Sequence, residues 1–259
     1  MSKKILITGA TDGIGLLTAK KFKQLGHEVI VHGRNQDKLS RIGEELSVET
    51  YRADMSNLSE VKAFAEEVLE KHKSLDVLIN NAGVYKTKAP LLQDGQDVRF
   101  VVNTIAPYLL TKELLPIISQ HGRIINLSSA AQASVNFAAL LGKEKLGDFE
   151  AYAQSKLAIT MWSRHLAGEI GADGPVVIAV NPGSLLGTKM VKEGFGTSGN
   201  DISIGVDILT ELTLEEKYVD ATGKYWDNDN RQFAPPADDG LDEAKTSALI
   251  GHLQKLVAV

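Results

Sequence analysis

Six short apolar or β-branched runs, set apart by longer amphipathic stretches, constrain this chain more than any other feature. They lie at Lys4–Thr8, Glu28–His32, Val48–Arg52, Val77–Asn80, Arg123–Leu127 and Val176–Asn181. A run such as VVIAV has no polar alternation, so as a strand it needs cover on both faces. The stretches between are helical in pattern; Val61, Phe64, Ala65 and Val68, for example, share one face. Strands separated by helices imply βαβ crossovers, and hence an α/β fold with a doubly wound, mainly parallel sheet and helices on both sides. No linker or repeat divides the series, and residues 1–259 read as a single domain. Ser184–Asn200, rich in Gly and Ser, and Asp227–Gly240, rich in Asp, Asn and Pro, read as irregular. A last helix is expected from Leu241, with Leu249, Leu253 and Leu256 on one face.

The first strand runs directly into TGATDGIG, Thr8 to Gly15. Gly9, Gly13 and Gly15 permit a tight turn and close approach of the backbone to a phosphate. A helix from Ile14 to Leu25 then aims its free N–H groups at that anion. Three glycines also suit an ordinary strand-to-helix turn, but this placement favours a Rossmann-type nucleotide site that includes Thr11, Asp12 and Ile14. The second strand ends in HGRN, where a site for NAD carries an acid to hold the ribose hydroxyls. Here Arg34 and Asn35 stand instead. A guanidinium pairs with a 2′-phosphate that a carboxylate would repel, so NADP(H) is expected over NAD(H), which stays open.

Composition removes several alternatives. A net charge of −5 without a cluster of Lys and Arg argues against nucleic acid as a partner. The absence of cysteine excludes disulfides, thiolate nucleophiles and zinc–thiolate sites, and the six histidines show no metal-ligand spacing. The start, MSKKILITGA, lacks the apolar core of a signal peptide, and no run approaches the ~18 apolar residues of a membrane span. A soluble cytoplasmic protein is the expectation.

Two further stretches carry chemistry. In AYAQSK, Tyr152 and Lys156 stand one helical turn apart and share a face. A free phenol has a pKa of about 10, and bringing it to about 7 takes roughly 4 kcal/mol, within reach of two nearby cations in a dry site. In VNTIAPYLLTKELL, Val102 to Leu115, a helical pattern carries Pro107 in its second turn. Proline cannot donate the hydrogen bond that the Asn103 carbonyl would otherwise accept.

With TGATDGIG, Asp54 in ADMSN, NNAG at Asn80–Gly83, Asn103, Ser129 in RIINLSS, YAQSK and Asn181–Pro182–Gly183, the chain resembles the short-chain dehydrogenase/reductase family over nearly its whole length. The resemblance implies that Tyr152 gives a proton when a carbonyl is reduced and takes one when an alcohol is oxidised. It implies that Ser129 holds the substrate oxygen and that Lys156 depresses the tyrosine and binds the nicotinamide ribose. Asp54 would contact adenine, Met55 would belong to the cofactor site, Asn81, Ala82 and Gly83 would line the adenosine side, and Pro182 and Gly183 would border the nicotinamide. Thr188 resembles the threonine that grips the carboxamide, although it follows Pro-Gly one residue later than the usual pattern. Asn103 would distort its helix so that its carbonyl holds a water of a proton relay, with Pro107 leaving that carbonyl free. A tolerated kink is the plainer reading of the proline.

Between Ser129 and Tyr152 lies an insert, QASVNFAALLGKEKLGDFEA, similar to that of the family's retinol-dehydrogenase-like branch. The branch acts on apolar carbonyl and alcohol substrates, so a small apolar molecule of that kind is the implied partner. Phe137, Leu140, Leu141 and Phe149 either wall a pocket or pack the insert onto the domain. Residues 184–205 are expected to form a substrate lid with Met190, Val191 and Phe195 as its apolar contacts. The helices of Asn103 and Tyr152 are apolar on more than one side, which suggests a homodimer or homotetramer unless Trp162 packs internally. A dinucleotide sensor without turnover, and epimerase or dehydratase chemistry, are the alternatives; a sensor has no use for a proton path.

Overall fold

The computed structural model describes residues 2–258. Its strands are β1 (Lys4–Ile7), β2 (Glu28–Gly33), β3 (Glu49–Arg52), β4 (Leu75–Asn80), β5 (Ile118–Leu127), β6 (Val176–Asn181), β7 (Tyr225–Asp227) and β8 (Gln232–Ala234). They form one sheet in the order β3-β2-β1-β4-β5-β6-β7-β8. Every neighbouring pair is parallel except β7 and β8. The mainly parallel sheet with helices on both faces is the fold class expected.

Within the central strands successive side chains enter opposite layers. Ile5 and Ile7 join one core and Leu6 the other, and Ile124 and Ile125 divide in the same way. The first layer holds α1 (Gly13–Gln24), α2 (Gln36–Leu46) and, much later in the chain, α9 (Ser203–Leu214). The opposite layer holds α3 (Leu58–Lys71), then a rod of α4 (Val98–Phe100), a π-helical turn (Val101–Ile105) and α5 (Ala106–Leu114). The insert contributes α6 (Phe137–Leu140), followed by the long α7 (Asp148–Ile170) and finally α10 (Glu243–Val257).

Several local outcomes differ from the sequence reading. The irregular stretch after β6 contains α8 (Lys189–Phe195), capped by Thr188 and stopped at Gly196 with φ 68°. The stretch Asp227–Gly240 contains β8, paired antiparallel to β7 through the contact of Trp226 with Phe233. Trp162 is fully buried, with Tyr108 at its edge, and α10 packs on α7 with Leu249, Ile250 and Leu253 in the same core. The apolar cover assigned to another subunit is in this part supplied from within the chain.

From β1 the chain runs outward to β2 and β3 on one side, then crosses back from β3 to β4 on the other side of β1. The carboxyl ends of β1 and β4 therefore open a crevice at the switch point, the place where such sheets bind ligands.

Candidate active site

The glycine turn closes over the end of β1. Gly9 and Gly13 have φ of 64° and 55°, in the left-handed region where a side chain is strained. A Cβ on Gly15 would stand 2.4 Å from Asn81 Nδ2 and 2.8 Å from the Gly9 carbonyl oxygen. Asn81 is fixed from the other side, donating through Nδ2 to the carbonyls of Thr8 (2.8 Å) and Gly9 (3.1 Å). Thr8 Oγ1 accepts from the backbone N–H groups of Asn81 and Ala82. Asp12 caps α1 through Gly13 N–H and pairs with Lys38 at 2.9 Å. This cradle, which added Cβ atoms would fill, fits the phosphates of a dinucleotide.

His32 holds the turn from beneath, a role its position inside an apolar strand did not signal. Its Nδ1 accepts from Gly9 N–H at 3.2 Å, its Nε2 lies 3.1 Å from the Ala53 carbonyl, and its ring stacks on Phe64. Burial pushes its pKa down to about 4, so the imidazole is neutral in the folded protein. An unfolded histidine titrates near about 6.5. Above that pH neither state binds the proton; as pH falls towards 4 only the unfolded state does, and stability is lost. Across that window wild type should lose on the order of 3 kcal/mol more than His32→Gln, measured by urea unfolding at pH 7 and pH 4.5. Equal losses would remove His32 as the cause.

A cleft of about 570 Å3 follows from this turn along the switch point. All the site residues predicted from the sequence line it except Asn103, Ser129 and Gly183. Arg34 and Asn35 lie at its rim, where Asn35 also caps α2 through Lys38 N–H. Asp54, which lines the cleft, accepts through Oδ1 from the N–H and hydroxyl of Ser56. Met55 is buried beside it. Gly183 follows Pro182 with φ 129°, and its N–H donates to Asn181 Oδ1. Thr188, besides capping α8, lies against Gly13.

At the inner end, α7 presents Tyr152 and Lys156. The Lys156 Nζ lies 5.6 Å from the Tyr152 ring centre and donates to the Leu127 carbonyl at 2.7 Å, using one of its three protons. Burial pushes Lys156 down to about 8. Burial also pushes the Tyr152 phenol above its usual value, against a lowering by the Ser129 hydroxyl opposite. In the protein alone, burial is the largest influence on this phenol. Ser129 is held through its carbonyl, which accepts from Tyr225 of β7 and Gln132, and its Oγ accepts from Ala131 N–H. Its neighbour Ser128 is tied to the Lys156 carbonyl and Thr160, so it is structural.

Asn103 sits in the π-helical turn, where the Ala106 N–H reaches back five residues to Val101. Its amide clamps the backbone of Val84, accepting from the N–H at 2.8 Å and donating to the carbonyl at 3.0 Å. The same Nδ2 reaches Ser155 Oγ on α7. Pro107 therefore stands in the first turn of α5 rather than inside a regular helix. In the insert, Leu140 is fully buried and Phe137 packs on His252 of α10, whereas Phe149 is exposed. Those first two pack the insert onto the domain.

Tyr225, His32, Tyr85 and Lys38 belong to the site and were not singled out from sequence. Lys38 alone had a usable signal, one helical turn beyond Arg34. Among the described residues no group of His, Cys, Asp and Glu could hold a metal, and no helix is long and apolar enough to cross a membrane.

A family model described as short chain dehydrogenase matches residues 3–197. Human retinol dehydrogenase 13 is 29% identical, the match covering 99% of this chain and 85% of the relative. Mouse retinol dehydrogenase 12 is 34% identical over 89% of this chain and 79% of its own. Human polyprenol dehydrogenase is 35% identical over 73% of this chain and 62% of its own. Among solved structures, a Shigella flexneri short chain dehydrogenase complexed with NADP has 26% identity and a TM-score of 0.68, covering 88% of this chain and 97% of that one. An Escherichia coli short chain dehydrogenase complexed with NADPH has 26% identity and a TM-score of 0.70, covering 87% and 96%.

Proposed function

The chain belongs to the short-chain dehydrogenase family, in its retinol-dehydrogenase-like branch, and from that premise we propose an NADP(H)-dependent enzyme interconverting a carbonyl and an alcohol. Members of the family are oxidoreductases whose fold binds a nicotinamide dinucleotide. The observation that carries the finer reading is the convergence of Tyr152, Lys156 and the glycine cradle on one cleft, with Ser129 opposite the phenol.

When bound, the dinucleotide supplies or accepts the hydride at its nicotinamide carbon. The chain's part is to bind, orient and move a proton. Ser129 would hold the substrate oxygen and Tyr152 would give that oxygen its proton, or take it in the reverse direction. Lys156, with a pKa of about 8, can exchange a proton near neutrality. It would also hold the nicotinamide ribose. The Asn103 amide locks the π-helical turn against Val84, in the segment after β4, and against α7, and its carbonyl, which Pro107 cannot engage, would carry the relay water.

Arg34 at the cleft rim supports NADP(H), and no carboxylate takes its place at the end of β2. Arg34→Asp should weaken NADPH by about 10- to 100-fold, the scale of a charge-assisted hydrogen bond. NADH should not weaken. Following absorbance at saturating carbonyl over a panel of aldehydes, ketones and quinones tests activity and cofactor choice together. An unchanged NADPH-to-NADH ratio would remove Arg34 from cofactor selection.

A further inference from the structure

Tyr85 lies just beyond β4, buried, with two aromatic rings against its own. Tyr152 meets it edge-on, the ring centres 5.1 Å apart at 62°. Phe195, the last residue of α8, stacks on it at 5.2 Å and 19°. Gly194 makes this stack possible: a Cβ there would fall 2.6 Å from Tyr85 Cδ1 and 2.7 Å from Cε1. The backbone of α8 therefore lies directly on the ring. At the other end of α8, Thr188 rests on Gly13. The short helix thus bridges the cleft from the phosphate turn to the catalytic tyrosine, and Lys189, Met190 and Glu193 line the cleft between.

Little else holds α8 down. It buries one side chain, Val191, and glycines at 187, 196 and 199 flank it, the last two with positive φ. An element with so few buried contacts opens at low cost. Phe195, half of whose surface is exposed, gains its aromatic contact through Tyr85.

We propose that Tyr85 is a positioning residue that seats α8 against Tyr152, so that closing the helix over the cleft and covering the phenol are a single event. The inference rests on the reading of Tyr152 as the acid and base, and it adds what couples that group to the lid. When α8 lifts, Phe195 leaves one face of Tyr85, water reaches the phenol's neighbourhood, and the dinucleotide is free to depart. When α8 closes, the same ring holds the angle of Tyr152 through their edge contact.

The test is the rate of NADPH release, followed by stopped-flow fluorescence without turnover, in Phe195→Ala, Tyr85→Ala, the double variant and Tyr85→Phe. Each alanine should speed release by about 2- to 12-fold, the worth of one aromatic pair. The double variant should match the faster single, because both substitutions break the same stack. Tyr85→Phe keeps both ring contacts and should release at the wild-type rate. Wild-type release from Phe195→Ala, or a double variant whose acceleration is the product of the singles, overturns the coupling. Phe195 is exposed enough to replace without unfolding, so it decides the matter even where Tyr85→Ala does not fold. Failure of wild type to bind NADPH would instead count against the proposed function.

Discussion

Tyr152→Phe is expected to lower kcat for carbonyl reduction by about 10²- to 10⁴-fold, the usual contribution of a positioned acid, while NADPH binding stays near wild type. The substitution removes one oxygen and keeps the ring that packs on Tyr85. Lys156 keeps its bond to the Leu127 carbonyl, so the pocket should hold its shape. Burial holds the phenol above its ordinary pKa. The group therefore carries its proton across neutral pH and is ready as a donor in the reductive direction. Oxidation needs the proton gone, so that direction should quicken as pH rises. A sensor of the same fold would bind the dinucleotide in both forms and have no turnover to lose. Paired measurements of absorbance and of binding by fluorescence titration separate these readings. Turnover in the variant within a few-fold of wild type would place the acid elsewhere.

What was legible in the sequence was what repeats locally. Val176–Asn181 was read to the residue, because VVIAV is apolar throughout and bounded by Gly174–Pro175 and Pro182. The start of β5 was missed by five residues, since the polar Ser119 to His121 and Gly122 interrupt its pattern where the register shifts between Ile118 and Arg123. β7 and β8 are three residues each, too short for periodicity, and are held by Trp226, Phe233 and Tyr218 packing at right angles. For α8 the signals were present, a Thr cap and a Gly stop, but the glycines around them masked a helix. In the site, the residues carried by motifs were named from sequence, whereas those acting from a distance were not. Tyr225 reaches Ser129 across 96 positions, and His32 reads as one more member of a buried strand. The direction of the Tyr152 shift was also hidden, because spacing reveals a neighbouring charge but not the burial that opposes it.

For stability the largest single loss should come from Asp97→Ala. The guanidinium of Arg99 is 1% exposed. Asp97 binds it twice, through Nε at 2.8 Å and NH2 at 2.6 Å, and also accepts the Arg99 N–H at 2.9 Å, capping α4. Asp148, which opens α7, binds the remaining nitrogen. Burial alone would favour a neutral guanidine; Asp97 first and Asp148 second outweigh it and keep the charge. This bridge fixes the rod bearing Asn103 against the helix bearing Tyr152 and Lys156. Removing Asp97 leaves a buried cation with one exposed carboxylate and an uncapped helix start. The expected cost is about 3–5 kcal/mol, or roughly 6–20 °C in Tm for a chain of this size. Asp97→Asn can keep Oδ1 for the Arg99 N–H and Nε but loses the charge and the Oδ2 acceptor, so it should recover only part of the loss. The double variant Asp97→Ala, Arg99→Met removes the stranded cation together with its partner and should recover part of the loss. Thermal melts of the four proteins test this ordering. A double variant no more stable than Asp97→Ala would mean that the cap, rather than the buried charge, carries the effect.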